Sequence, residues 1–295
     1  MPVTIAYLGP EGTYTQLAAL THSLQLEQQG IQPIQLRAFP SIPQAMLATA
    51  SGETSYTIVP VENSTEGGVS TTLDTLWRLK RLKVQQALVM PIRHGLLSKA
   101  SDLTQLKRIY SHPQALSQCQ LWLEENLPQA NLIPTRSTTE ALQHLSDEAS
   151  TAAISSEWAA QLYKLPILVH DINDNIENCT KFWVLGLEAD PRGHFTSLAF
   201  SLPTNTPGAL LKPLEIFAQR HINLSRIESR PTKRSLGDYL FFVDLEANGE
   251  DATTRQALRD LADCTETLNN FGSYNVSTVS GNLEPAMARY KEFTQ

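Results

Sequence analysis

A repeated order of apolar strand, polar loop and helix constrains this chain more than any other feature of its sequence. Thr4 to Leu8 reads as a short buried strand, the turn Gly9-Pro10-Glu11-Gly12 follows, and a helix starts near Thr13 or Thr15. Ser55 to Val61 is a β-branched run. It leads through a Gly- and Ser-rich loop, Glu62 to Gly68, into Thr71 to Lys80, where Leu73, Leu76, Trp77 and Leu79 stand at helical spacing. Arg108 to Tyr110 leads into Ser111-His112-Pro113, with proline suited to the first turn of a helix that reaches roughly to Leu127. Ala152 to Ile154 leads into Ser155 and Ser156, caps for a helix running towards Tyr163. This order predicts an α/β architecture with largely parallel sheets, whose ligand crevice lies outside the carboxyl ends of the strands. Every loop just named falls at such an end, so an anion site assembled from loops distant in sequence is expected.

Leu187 to His194, containing Asp190-Pro191-Arg192-Gly193, breaks the pattern and reads as a linker. Beyond it the order changes to a strand at Phe195–Leu202, a helix at about Gly208–Arg220, strands at Asn223–Ser229 and Tyr239–Leu245, a helix at about Thr253–Thr265 and a strand at Tyr274–Val279. That βαββαβ order predicts a small ferredoxin-like domain, and Pro285 to Gln295 reads as a polar tail.

The length of 295 residues suits two domains. Thirty acidic residues against 23 Lys plus Arg leave −7, so no general basic field is offered to nucleic acid or an acidic membrane. An anionic ligand must then be held by local groups. Met1 to Pro10 has neither the cationic start nor the apolar stretch of a signal peptide, and no apolar run approaches the ~20 residues of a membrane helix. Cys119, Cys179 and Cys264 are odd in number and far apart, which argues against a disulfide framework and a zinc site, and a cytoplasmic home is expected. There is no GxGxxG loop, P-loop, HExxH helix or GxSxG elbow. Ser111 and His112 are neighbours in a turn, a poor geometry for a nucleophile and its base.

Two polar stretches adjoin apolar strands. Val59 to Val69 is the denser; it reads either as a capping loop or as part of an active site, since such sites concentrate on loops of this kind. In Asn178-Cys179-Thr180-Lys181-Phe182-Trp183-Val184-Leu185, Thr and Lys open an otherwise apolar strand; Thr180 alone has the simpler explanation that threonine favours strands.

Taken together, Gly9-Pro10-Glu11-Gly12-Thr13, Val61-Glu62-Asn63-Ser64, Ser111-His112-Pro113-Gln114 and Thr180-Lys181-Phe182 resemble the loops of the prephenate dehydratase family. Gly208-Ala209-Leu210-Leu211 and Glu228-Ser229-Arg230-Pro231 resemble the regulatory ACT domain of the same enzymes. Any one motif is weak; six in the family's order, over roughly residues 3 to 280, are specific. The resemblance implies a two-lobed catalytic domain like a periplasmic binding protein at 1–187, with lobes at about 1–80 plus 165–187 and at 81–164. It implies an ACT domain at 195–282 and a tail at 283–295.

The implied activity is the loss of water and carbon dioxide from prephenate to give phenylpyruvate in phenylalanine biosynthesis, with no cofactor or metal, because aromatisation drives the reaction. By the same resemblance Thr180 is the principal catalytic residue, and Glu62, Asn63, Ser111 and Gln118 shape the pocket. Lys181, Phe182, Thr13 and Ser64 fall to substrate binding, with Lys181 and the N–H groups near Thr13 and Ser64 holding the two carboxylates. Where the family has arginine, with its planar fork, this chain has Lys181, whose ammonium is a compact charge. Leu210, Leu211, Asn223, Glu228 and Ser229 are the implied sites for inhibitory phenylalanine, bound between subunits of a dimer or tetramer. The start of the chain at the first catalytic strand suggests a monofunctional enzyme. Arogenate dehydratase, and a two-lobed amino-acid sensor without chemistry, are the competing readings.

Overall fold

The computed structural model describes residues 2–145, 149–279 and 285–288. Polar caps start helices where the sequence places them. Thr13 Oγ1 accepts from Gln16 N ahead of Tyr14–Gln28, Ser41 from Gln44 N ahead of Ile42–Ala50, and Ser156 from Ala159 N ahead of Glu157–Tyr163.

The first lobe is a sheet in the order Lys83–Pro91, Cys179–Gly186, Tyr56–Asn63, Val3–Leu8, Ile34–Phe39. Val3–Leu8 runs parallel to both of its neighbours, whereas Cys179–Gly186 is antiparallel to both of its own. The second lobe orders Ile167–Val169, Gly95–Leu97, Thr151–Ser155, Arg108–Ser111 and Asn131–Pro134, antiparallel over the first two pairings and parallel over the last two. Both sheets are therefore mixed, not largely parallel, because the chain crosses twice between the lobes and returns in the opposite direction.

Strand pairing also redraws the lobes. Lys83–Pro91 belongs to the first lobe, where it pairs with the strand of Thr180, and Ile167–Val169 belongs to the second. The helix expected up to Leu127 is two helices, Pro113–Ser117 and Gln120–Asn126, with Gln118 as the C-cap of the first.

Beyond the linker, Leu224–Pro231, Tyr239–Leu245, Phe195–Ser201 and Thr267–Thr278 form an antiparallel sheet in that order, with the helices Leu211–Ala218 and Ala252–Cys264 over one face. Thr267–Thr278 is longer than expected. Its first part pairs with Phe195–Ser201, and Asn275–Thr278 then runs parallel to Gln86–Val89, joining this sheet edge to edge with that of the first lobe. The face away from the helices closes one core with the lobe: Ala199, Phe242, Phe271 and Tyr274 pack with Val84, Ala87, Trp183 and Leu185.

The linker lies tightly on the same strand. A Cβ at Gly193 would sit 2.0 Å from Tyr274 N, a backbone atom that cannot swing aside. Gly193→Ala is expected to cost about 1–3 kcal/mol, as overpacking does, and to lower the midpoint of thermal unfolding followed by circular dichroism. At the far end, Ala286 and Met287 are buried in the core beneath Tyr14–Gln28. That part of the expected tail is packed; residues 280–284 and 289–295 lie outside the described residues.

Candidate active site

The carboxyl ends of Val3–Leu8 and Tyr56–Asn63 meet the amino end of Cys179–Gly186 at one edge of the first-lobe sheet, because the last strand is antiparallel. Register sets Thr180 opposite Asn63 and Lys181 opposite Glu62. Successive side chains on a strand point to opposite faces, so these pairs separate. Thr180 and Asn63 form the centre of a polar cluster, while Lys181 and Glu62 turn away from it.

Asn63 is the hub. Its Oδ1 accepts from Thr65 N and Glu66 N, both at 3.0 Å, which fixes the amide in the loop. That leaves Nδ2 to donate to Thr180 Oγ1 at 3.0 Å, Asn178 Oδ1 at 2.8 Å and Cys179 O at 3.2 Å. The chain of amides continues into the second lobe, with Asn178 Nδ2 donating to Gln118 Oε1 at 3.1 Å and His94 Nε2 lying 3.1 Å from the same oxygen. An oxygen acceptor requires the Nε2–H tautomer of His94. Burial pushes the His94 pKa down to about 4, so the ring is neutral at neutral pH. Asn173 Oδ1 accepts from His94 N, and Gln118 Nε2 lies 3.5 Å from Glu66 Oε1.

Thr180 is 8 % exposed, Asn63 6 % and Gln118 8 %. Thr180 Oγ1 receives a hydrogen bond from Asn63, and among the described residues no acceptor takes its own proton. It is thus a polarised hydroxyl with a proton to give. A cavity of about 570 Å³ opens beside Asn63, lined by residues 66–69 on one side and by residues 112–114 and Ser117 on the other. That volume suits a small ligand. A larger cavity of about 940 Å³ is lined by Tyr14, Arg93, Glu157 and Asp171 and reaches Asn178 and Cys179, but Thr180 and Asn63 do not line it. We place the site at the smaller one because Asn63 lines it; Thr180, hydrogen-bonded to Asn63, lines neither cavity itself.

The other expected residues divide. Ser111 is the last residue of its strand; its hydroxyl is fully buried and donates to Ile154 O at 2.7 Å. Ser64 ties the loop to the neighbouring strand, accepting from Cys179 N at 3.0 Å and reaching Asn178 Oδ1 at 3.3 Å. Thr13 caps its helix and Phe182 packs in the core with Leu88, Met90 and Trp158, so neither faces the cavity. The nearby N–H groups are also engaged, Gly12 N with Gln16 Oε1 at 2.6 Å and Ser64 N with Cys179 O at 2.9 Å.

Lys181, expected to hold a substrate carboxylate, is engaged by carboxylates of the chain itself. Its ammonium lies 3.2 Å from Glu62 Oε2 and 3.8 Å from Asp244 Oδ2 of the C-terminal domain. Glu62, expected in the pocket, is on that same far face.

Of the expected phenylalanine ligands, Leu210 packs against the core of the C-terminal domain, and Leu211, Asn223 and Ser229 are exposed. Glu228 points the other way from Ser229, 3.5 Å from Arg226 and against Gly68. The five are not brought to one face within a single chain.

His94, Asn173 and Asn178 escaped the sequence reading. They lie in the two segments that cross between lobes, joined by Ile92 N to Asn178 O at 2.8 Å and Ile172 N to His94 O at 2.9 Å. The available signal was the run of Asn and Asp from Asp171 to Asn178, far too polar for a simple connection. Among the described residues no group of three or more His, Cys, Asp or Glu is placed to hold a metal ion.

Comparison with known proteins accords with this geometry. The family model for prephenate dehydratase matches residues 5–190, and that for the ACT domain matches residues 196–263. A prephenate dehydratase of Lactococcus lactis subsp. lactis (strain IL1403) is 36% identical over 280 residues, covering 92% of this chain and 97% of its own. The structure of prephenate dehydratase from Arthrobacter aurescens in complex with L-Phe superposes with a TM-score of 0.83 at 33% identity, covering 99% of this chain and 98% of that one. A protein described as a novel type of quorum-quenching acylase superposes at 0.77 with 25% identity, over 93% and 98%.

Proposed function

Because the chain belongs to the prephenate dehydratase family, we propose that it is a carbon–oxygen lyase that converts prephenate to phenylpyruvate in phenylalanine biosynthesis, with phenylalanine acting through the ACT domain. The observation that carries the reading is the Thr180 hydroxyl, which accepts from Asn63, a residue lining the cavity, and whose own proton no described residue accepts.

In the reaction the ring carboxylate leaves as carbon dioxide, its bonding electrons enter the ring, and the hydroxyl departs with a proton as water. Thr180 donates towards the departing oxygen, and the Asn63 amide stabilises the charge that this leaves on Oγ1. A positioned donor of this kind contributes typically ~10²–10⁴-fold. A neutral His94 at the end of the amide chain keeps Gln118 and Asn178 oriented without adding charge to the site.

Purified protein incubated with prephenate is expected to form phenylpyruvate, and less of it as phenylalanine is added. Product from arogenate alone would move the assignment to arogenate dehydratase. Phenylalanine binding without turnover of either substrate would favour a sensor. An acylase reading has less support: Ser117, the serine that lines the cavity, donates its hydroxyl to Gln114 O at 3.0 Å, and the Ser111 hydroxyl is buried on Ile154 O.

We also propose self-association to a dimer or tetramer. Leu224–Pro231 is an edge strand that leaves Ile227 exposed, and light scattering tests the mass. Three free cysteines support a cytoplasmic location.

A further inference from the structure

The far face of the Thr180 strand carries a ladder of charges that the dehydration chemistry does not use. Lys181, 21 % exposed at its side chain, sits between Glu62 and Asp244. Asp244 is 1 % exposed, and Arg226, 5 % exposed, grips it with two bonds, Nε to Oδ2 at 2.9 Å and Nη2 to Oδ1 at 3.3 Å. Ser197 donates to the same carboxylate. Burial alone would raise the Asp244 pKa, yet Arg226, Lys181 and Ser197 hold it below the usual carboxylate range, so the group is ionised.

The ladder is packed as well as charged. The Arg226 guanidinium lies 5.2 Å from the centre of the Trp183 ring, two residues along from Lys181. At its other end Arg226 meets Glu228, whose carboxylate lies so close to Gly68 that a Cβ there would be 2.1 Å from Oε2. Gly68 follows the Asn63 loop and pairs back onto Glu62. Both halves of the Thr180–Asn63 pair are thus braced from behind by side chains of the C-terminal domain.

We propose that Lys181 is a positioning residue: held between Glu62 and Asp244, it fixes the place of Thr180 and Asn63, so that the regulatory domain helps to set the catalytic hydroxyl. The proposal rests on the dehydratase reading for its kinetic consequence but not for its structural one. A buried charge that loses its partner is costly, whereas a longer cation that reaches both carboxylates keeps the brace.

The test uses the full chain with Lys181→Met, Lys181→Arg and Asp244→Asn. Lys181→Met and Asp244→Asn are expected to lower kcat for prephenate by about 10–100-fold while KM stays within about twofold, as misplacement of a donor does. Lys181→Arg should recover most of kcat, and the Met/Asn double variant should be no worse than the poorer single one. A Lys181→Met enzyme with KM raised tenfold or more and kcat retained would overturn the proposal in favour of a carboxylate clamp. Amide hydrogen exchange over residues 179–182 gives a reading independent of turnover. It should quicken in Lys181→Met and not in Lys181→Arg, and unchanged exchange in Lys181→Met overturns the proposal even if Asp244→Asn fails to fold. Wild-type protein inactive on prephenate would instead remove the dehydratase reading, leaving exchange to decide the role of Lys181.

Discussion

Replacing Thr180 by valine is expected to lower kcat for prephenate by about 10²–10⁴-fold with the fold intact, because a positioned proton donor is worth that much and valine keeps the shape. The substitution isolates the hydroxyl. Asn63 Nδ2 retains Asn178 Oδ1 and Cys179 O as acceptors, so no buried donor is orphaned when Oγ1 is lost. Valine also preserves the strand preference at a position paired on both sides, with Asn63 and with Met90. Thr180→Ser, which restores a hydroxyl with a less restricted rotamer, should recover part of the rate. Initial rates of phenylpyruvate formation, with thermal unfolding as the control, check both. Near-normal turnover by a folded Thr180→Val protein would remove the assignment.

That strand also shows how far the sequence could be read. The apolar run from Phe182 to Leu185 makes a buried strand evident, and the polar loops at strand ends point to one edge of a sheet. What that run cannot say is which neighbour covers each face. Lys181 looks like a substrate cation until Asp244, 63 positions away in a different domain, is seen against its far side. Lys83–Pro91 was missed because Gln85 and Gln86 interrupt its apolar pattern, and that interruption exists for a reason. Gln86 bonds His22 on one side of the first lobe and Ser277 of the neighbouring strand. Thr267–Asn270 was missed likewise, its asparagines giving no strand signal. Gln118 reaches the polar cluster as the C-cap at a break in the helix expected to run on to Leu127. His94, Asn173 and Asn178 sit where the chain crosses between lobes, and crossing segments have no periodicity to read.

Acid is expected to destabilise the fold between about pH 6.5 and pH 4, and His22 supplies a clean measure of it. The ring is buried beneath the first-lobe sheet, edge-on to Tyr56 at 5.3 Å, with Nδ1 3.2 Å from Gln86 Oε1. Burial, partly offset by hydrogen bonding, lowers its pKa to about 4, as burial does for His94. In the unfolded chain each imidazole takes up its proton near pH 6.5. Between these values the unfolded state binds more protons, so stability falls as pH falls through the window and is restored as pH rises; below about pH 4 both states are protonated and the loss stops growing. The difference corresponds to about 3 kcal/mol for each histidine, a large share of a typical folding free energy. His94 belongs to the polar cluster, so its replacement would mix stability with chemistry. His22→Phe keeps the contact with Tyr56 and cannot protonate. Urea unfolding of wild type and His22→Phe at several values between pH 4 and pH 7 should show the wild type losing about 3 kcal/mol more than the variant. Parallel pH profiles for the two proteins would mean that the buried His22 ring does not govern acid stability.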